Sequence, residues 1–358
     1  MKTAIVILNW NTKDYLRQFL PGVLASCEGE DASVIVADNA STDGSMEMMA
    51  AEFSQVRTIA LDENYGFTGG YNRALAQVEA EYYVLLNSDI EVTPGWIAPL
   101  RRWLDSHPQC GACGPKLLSY YDHGSFEYAG AAGGYIDAFG YPFCRGRVLK
   151  RVQEDHGQYD SPADVFWVTG ACLMVRSSVW KQLGGLDDRF FAHMEEIDLC
   201  WRMRLAALSV SVVPESVVYH LGGGTLPQDS PWKLELNYRN SLLTMENNLS
   251  RQIMLEGAPP KKAFHIAKRQ IFIRKCLDGI ASAVYLLQGN PSYFASVWRA
   301  HRSYRRLRSS VSLRDLARWQ PPRVSRSDAC KGIMPGSIIF AEKLHRSKVF
   351  DYTLRHTL

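Results

Sequence analysis

Short apolar runs that stop abruptly at polar residues recur through the first part of the chain, with helical periodicity between them. Residues 3–8, 33–38, 56–61 and 82–87 read as strands, because continuous runs of Ala, Val, Ile, Leu and Tyr of this length belong to strands buried on both faces. Asp14 to Leu24, Ser45 to Phe53 and Gly66 to Ala76 carry apolar residues at helical spacing. Strand–helix alternation predicts an α/β fold with a mostly parallel sheet and right-handed crossovers. The polar ends of the runs, Asp38 and Asn87-Ser88-Asp89, then reach one sheet edge. That edge, beyond the carboxyl ends of the strands, is where open α/β sheets bind ligands.

The pattern weakens between about 110 and 170, which is rich in Gly and aromatic residues and reads as loops and irregular strands lining a cleft. Regularity returns with a strand over Val165 to Val175 and helices over Ser177 to Leu183 and Glu195 to Ala207. Val217-Val218-Tyr219 ends at His220, and Gly222-Gly223-Gly224 places that histidine on a flexible loop. After Pro259-Pro260 the pattern becomes basic and amphipathic, so the chain divides into 1–258 and a mainly helical 259–358.

Charge sharpens that division. Residues 1–259 hold 20 Lys/Arg against 32 Asp/Glu, and residues 260–358 hold 20 against 5. A basic third on an acidic body calls for a polyanionic partner, an anionic membrane or a nucleic acid. Ile271, Phe272, Val284, Tyr285, Leu286, Leu287, Phe294 and Trp298 add an apolar face, the composition of an interfacial anchor. Packing on the catalytic body, or on a second subunit in a homodimer, is the alternative. The best spanning candidate, Ile271 to Leu287, contains Arg274, Lys275 and Asp278, so a membrane would be met from its surface. Strand-like Ala4 to Leu8 leaves no room for a signal peptide, and a cytoplasmic location is expected. The eight cysteines are dispersed, and Cys110 and Cys113 have no second pair with which to hold zinc.

The strand ends carry the candidate chemistry. A carboxylate at Asp38 can accept the imide N–H of uracil or thymine, or a ribose hydroxyl, whereas Asp43 suits a helix cap. Asn64-Tyr65-Gly66-Phe67-Thr68-Gly69-Gly70-Tyr71-Asn72-Arg73 is a Gly-rich loop opening a helix, where a diphosphate could approach the backbone. It matches neither dinucleotide-binding nor NTPase fingerprints. Asp89 suits a Mg²⁺ or Mn²⁺ ion whose shell a diphosphate and water complete. Asp198 and Arg202 are spaced to pair on one helix face. Glu195 and Glu196, in the first turn of that helix and just after Phe190-Phe191, suit a general base at a cleft mouth.

Together these blocks resemble the family 2 glycosyltransferases, most closely their rhamnosyltransferase-like branch. The resemblance runs over roughly residues 3–245. Its blocks are Ile5 to Asn11, Val36 to Gly44, Asn64 to Asn72, Leu85 to Asp89, Gly170 to Met174, Gly184 to Phe191, Glu195 to Arg202, and His220. It implies a GT-A catalytic domain over 1–258, with nucleotide-sugar binding in 1–110 and the acceptor side in 111–258. It also implies a divalent metal and inversion at the anomeric carbon. By position Asp38 would hold the base, Asp89 and His220 the metal and diphosphate, and Glu196 would be the catalytic base beside Glu195. Asn9, Asn11, Asn64, Gly66, Gly70, Asn72, Asn87 and, in Tyr238-Arg239-Asn240, Arg239 would complete the donor side. Two departures stand out: Asn87 replaces an acid common in the metal motif, and Glu195-Glu196 replaces the commoner Glu-Asp.

The reading is a hexosyltransferase moving a sugar from a dTDP- or UDP-sugar, dTDP-rhamnose among them, to a glycan or lipid-linked oligosaccharide in cell-surface polysaccharide synthesis. It would work peripherally on the inner face of a bacterial plasma membrane, with no nucleic-acid partner. A nucleotidyltransferase would want a basic Gly-rich first turn, and Asn9-Trp10-Asn11 supplies none. A catalytically inactive nucleotide- or sugar-binding subunit is the other alternative, against which Asp89, Glu196 and His220 together argue.

Overall fold

The apolar runs become the middle of one sheet. The computed structural model describes residues 1–222, 230–309 and 311–357. Gly223 and Gly224, part of the loop expected after His220, lie outside the described residues. The nucleotide-side half runs β1 (Thr3–Asn9), α1 (Lys13–Ala25), β2 (Ala32–Asp38), α2 (Ser45–Glu52), β3 (Arg57–Ala60), α3 (Gly66–Leu75) and β4 (Tyr82–Leu86), close to the sequence pattern. Next come β5 (Ile90–Val92), α4 (Ile97–Ser106), β6 (Cys110–Ser119), β7 (Gly134–Asp137), β8 (Pro142–Cys144), β9 (Arg147–Val148), β10 (Arg151–Val152) and β11 (Ala163–Asp164). They are followed by β12 (Cys172–Arg176), α5 (Ser177–Leu183), α6 (Glu195–Leu205) and β13 (Ser209–His220). The remainder is α7 (Pro231–Leu255), α8 (Pro260–Leu287), α9 (Pro291–Leu307), α10 (Leu313–Arg318), α11 (Arg326–Cys330), β14 (Ile333–Met334), α12 (Ile338–His345) and α13 (Val349–Thr357).

Among the described residues the main sheet has the order β11-β13-β6-β12-β4-β1-β2-β3, with β5 paired to β13. The strands β3, β2, β1 and β4 are parallel, as their crossover helices require. β12 runs antiparallel to β4 and β6, so the whole sheet is mixed. Two cores flank it. Ile5, Ile7, Val36, Val84 and Leu86 face one, and Ala4, Val6, Ile35 and Leu85 face the other, as alternate residues of doubly buried strands must.

The middle of the chain is more ordered than expected. It opens with the ten-residue strand β6, which pairs in parallel with β13. Glycines, Pro115 and Lys116 hide that strand from a periodicity reading. Lys116 is buried and neutralised by Asp155 at 2.7 Å and by Asp160. A second sheet, β10-β9-β8-β7-β14, borrows its last strand from the C-terminal region, with Ile333 opposite Ile136. The expected boundary near 259 falls at the α7–α8 turn, yet one core runs across it, joining Leu242, Met245 and Leu249 to Ala263, Ala267 and Ile271. No helix among the described residues is long and apolar enough to cross a membrane.

Candidate active site

Two strand ends make the first half of the site. Asn87, Ser88 and Asp89 form the tight turn between β4 and β5, pinned where the Asn87 N–H donates to the Ala171 carbonyl at 2.9 Å. β5 then pairs antiparallel with β13, setting Ile90 opposite His220, and the Leu221 N–H donates to the Asp89 carbonyl at 3.1 Å. That pairing brings the Asp89 carboxylate to 3.3 Å from His220 Nε2. His220 is therefore the last residue of a long strand, not a loop residue as expected. Its other nitrogen, Nδ1, faces Glu127 Oε1 at 3.3 Å, at an angle outside a regular hydrogen bond. Burial alone would lower the imidazole pKa, but Glu127 and Asp89 overcome it and push it up to about 10.

Glu127 was not anticipated. It lies in the stretch read as irregular, where nothing in the pattern marks one acid above another. Its Oε2 accepts the Ala129 N–H, and only folding sets it behind His220.

The donor set fits a Mg²⁺ or Mn²⁺ ion once the imidazole gives up its extra proton: one carboxylate and one imidazole side by side, with a second carboxylate beside the far ring nitrogen. Among the described residues no three His, Cys, Asp or Glu converge as a complete protein cage. The remaining ligands would come from the donor diphosphate and water, as is usual for these ions.

The second half is the start of α6. Phe191, His193 and Met194 all have left-handed φ, at 65°, 72° and 72°. Such conformations cost on the order of 1–3 kcal/mol each and persist only where the surroundings impose them. Asn240 on α7 imposes this one: its Nδ2 donates to the carbonyls of Phe190 (3.0 Å), Ala192 (2.7 Å) and His193 (2.7 Å). The strained turn delivers Glu195 and Glu196 to the helix N-terminus, where each has an Oε2 out of water and without a partner. The helix dipole favours charged carboxylates there, but desolvation is the larger effect. Glu195 is pushed up well above the usual range, by burial and by its neighbour, and Glu196 to about 7 by burial. Glu195 is buried and Glu196 only partly so, which leaves Glu196 the carboxylate within reach of a substrate. Glu196 also stands over Gly170, whose added Cβ would meet the Glu196 Cβ at 3.7 Å. The base candidate and the Asn87–Asp89 turn therefore flank the same Gly170-Ala171 step.

Several expected donor-side residues instead build the frame. The Asn9 side chain is saturated: Nδ2 donates to Asp38 Oδ1 (2.7 Å) and Ser41 Oγ (3.0 Å), while Oδ1 accepts from Thr12 (2.6 Å). Asp38 also accepts the Ser41 N–H at 3.0 Å, so it stands at the sheet edge with both oxygens already engaged. Asn11, at φ 54°, ties down the same turn by accepting the Thr42 N–H at 2.8 Å.

The Gly-rich loop does not present a diphosphate cradle. The N–H groups of Phe67 (2.7 Å) and Thr68 (3.2 Å), at the start of α3, donate to the Phe191 carbonyl. Gly66, at φ 69°, must lack a side chain because a Cβ would sit 2.5 Å from that oxygen, and Gly70 because one would meet Leu8 at 2.8 Å. Asn64 accepts from Asn39 (3.0 Å) and Gly66 (2.9 Å). Asn72 clasps Leu186 at both N–H (2.9 Å) and carbonyl (2.7 Å) and donates to Asp188 at 2.6 Å. Arg239 is buried and donates to the Phe190 carbonyl at 2.5 Å, so it braces the strained turn instead of facing phosphate. Asp198 and Arg202 pair as the spacing predicts, at 2.7 Å.

The sequence model of the family described as "Glycosyl transferase family 2" matches residues 4–182, half of the chain. The chain is a family 2 glycosyltransferase. Among its relatives is the N-acetylglucosaminyl-diphospho-decaprenol L-rhamnosyltransferase of Mycobacterium tuberculosis, 26% identical over 261 residues, covering 69% of this chain and 84% of the relative. The O-antigen biosynthesis protein RfbC of Myxococcus xanthus is 27% identical over 222 residues, 61% of this chain but only 17% of that much longer protein. A solved structure of GalNAc-T7 with UDP, GalNAc and Mn²⁺ superposes with a TM-score of 0.52 at 15% identity, covering 69% of this chain and 48% of that one. The fold of this glycosyltransferase is GT-A.

Two variants probe the frame of the glycosyltransferase site. Asn240→Ala removes the clamp from three carbonyls and should destabilise the fold by about 1–3 kcal/mol, measured by denaturant unfolding. Unchanged stability would mean that the strained turn holds itself. If Asp89 and His220 hold Mn²⁺, Glu127→Gln should weaken its binding by about 10–100-fold, the usual cost of losing the carboxylate behind a ligating histidine. Calorimetric titration with Mn²⁺ reads this directly, and wild-type affinity would remove Glu127 from the metal's support.

Proposed function

We propose that this glycosyltransferase is an inverting, metal-dependent hexosyltransferase that moves a sugar, rhamnose foremost, from a dTDP- or UDP-sugar to a hydroxyl of a lipid-linked glycan. The observation that carries the reading is that the Asn87–Asp89 turn, which holds the Asp89–His220 pair, and Glu196, a base of raised pKa, meet the same Gly170-Ala171 step. The rhamnosyltransferase relative, named for a diphospho-decaprenol-linked acceptor, supports the choice of sugar and acceptor.

Asp38, at the end of β2, would take the nucleoside end of the donor, with Asn9 and Asn11 fixing its turn. Asp89 and His220 would hold the Mg²⁺ or Mn²⁺ ion, with the Glu127 carboxylate facing the other ring nitrogen. When bound, the ion supplies neutralising charge at the departing diphosphate. Glu196 takes the proton of the acceptor hydroxyl, and that oxygen attacks the anomeric carbon. The bond to the diphosphate breaks on the opposite face, and the nucleoside diphosphate leaves with the bonding pair. Glu195, the more deeply buried of the two and raised by its neighbour as well as by burial, favours its neutral form, which spares the turn a second charge. The basic C-terminal region would hold the enzyme on the inner face of an anionic plasma membrane, where a lipid-linked acceptor resides.

Thermal shift against dTDP-rhamnose, UDP-galactose and UDP-N-acetylglucosamine, each with and without Mn²⁺, tests the donor assignment. Stabilisation by one donor only when Mn²⁺ is present is expected. Equal stabilisation without metal, or none by any donor, would refute it.

A further inference from the structure

Helix α8 is amphipathic in the reverse sense. Its inward face is built from Ala263, Ala267, Ile271, Arg274, Asp278 and Ser282, so the buried side carries an ion pair. Arg274 Nε donates to Asp278 at 2.8 Å, its Nη1 to the Phe139 carbonyl at 2.8 Å, and its guanidinium lies 3.7 Å over the Tyr141 ring. His301 of α9 reaches the other Asp278 oxygen at 3.1 Å. This network fixes the α8–α9 hairpin to the body and turns the remaining positions outward. Outward means apolar: Phe272 (62% exposed), Ile280 (63%) and Leu287 (88%) follow one another along α8, with Trp298 (59%) on α9. Ile271, Tyr285 and Phe294, expected on the same face, are turned inward or half-covered. Large apolar side chains exposed in a row along a helix mark a contact site.

The charge around the stripe selects its partner. From Lys261 to Arg308 the sequence contains eleven Lys/Arg and one acid, Asp278, which is fully buried. Lys261, Lys262 and Arg269 are exposed ahead of the stripe on α8, and Arg302, Arg305 and Arg306 on α9 beyond Trp298. A second copy docking face to face would set these cations against themselves with no exposed acid of the hairpin to answer them. An anionic bilayer answers both features, phosphates for the cations and acyl chains for the stripe.

The end of the stripe, at the α8–α9 turn, adjoins the part of α7 that holds the Glu195–Glu196 turn. Tyr285, in the last turn of α8, is 3.4 Å from the Tyr238 hydroxyl, the neighbour of Arg239 and Asn240 that hold the Glu195–Glu196 turn. Arg299 of α9 pairs at 2.7 Å with Glu235, one turn before Tyr238 on α7. Trp232, at the start of α7, is half-exposed and lies 6.4 Å from the Phe191 ring.

We infer that the outer face of the α8–α9 hairpin, from Phe272 to Trp298, inserts shallowly into an anionic lipid surface and so sets the catalytic end beside a lipid-carried acceptor. This rests on the glycosyl-transfer reading for the acceptor but not for the lipid contact. The test is co-sedimentation of the full chain with vesicles of phosphatidylglycerol and phosphatidylcholine, or of phosphatidylcholine alone. Wild type should pellet with the anionic vesicles at low salt and be released by salt, because surface charge is screened within about 10 Å or less. Ile280→Gln/Leu287→Gln should cut that partitioning by about tenfold or more. Donor-induced thermal shift, which needs no lipid, should be unchanged in the variant, so a failure of the donor assignment stays separate from a failure here. Absence of wild-type pelleting, equal pelleting of the variant, or a wild-type dimer in sedimentation velocity that the variant abolishes would each overturn the inference.

Discussion

Glu196→Gln is expected to lower sugar transfer by roughly 10²–10⁴ while leaving donor affinity near wild type. The amide keeps the size and polarity of the side chain but cannot take the acceptor proton. The same change should raise stability. Burial lifts the Glu196 pKa from 4.5 to about 7, so ionising the carboxylate costs folding free energy as pH rises through that interval. Above it the wild type bears the whole penalty and the variant none, a gain of up to about 3 kcal/mol at 1.36 kcal/mol per pKa unit. Below about pH 4.5 the difference should vanish. Wild-type transfer should correspondingly rise with pH through about 7, as the base loses its proton. A less stable Glu196→Gln variant would contradict the buried-carboxylate account. A Glu195→Gln variant with the larger loss of transfer would shift the base by one residue.

Asp89→Ala should abolish metal-dependent donor binding, a loss of about 2–4 kcal/mol in donor binding or transition-state stabilisation. Asn87 offers no replacement carboxylate in the turn. Glu127 lies on the far side of the imidazole, against Nδ1 rather than Nε2. The backbone of the turn should survive, since Asp89 holds Leu221 through its carbonyl oxygen and not its side chain. Activity should likewise disappear in excess EDTA and return with Mn²⁺. Full transfer by Asp89→Ala, or by wild type under chelation, would end the metal assignment.

The contrast between these residues and the rest of the expected donor side shows where sequence reasoning ran out. Gly66 and Gly70 stood out as a motif, yet each is glycine because Phe191 or Leu8 lies where a side chain would go. Asn72 and Arg239 likewise hold the segments that lead to α6. Each of these shapes the frame of the candidate site through distant parts of the chain that a local pattern does not reveal.

The sequence alone determined the strands β1, β2 and β4 and the turns at their ends. A strand buried on both faces must be apolar throughout, and its first polar residue marks the sheet edge. It also determined the Asp198–Arg202 pair, which depends only on helical spacing. Tertiary structure decided what depends on partners far apart in the chain. Pairing of β5 with β13 brought Asp89 to His220, and the fold of the middle region set Glu127 behind that ring. For α8, periodicity located an apolar side and a charged side without saying which faces the body. The buried Arg274–Asp278 pair decided it: an ion pair satisfied by Phe139, Tyr141 and His301 can be buried, and the apolar side is then left to the surface.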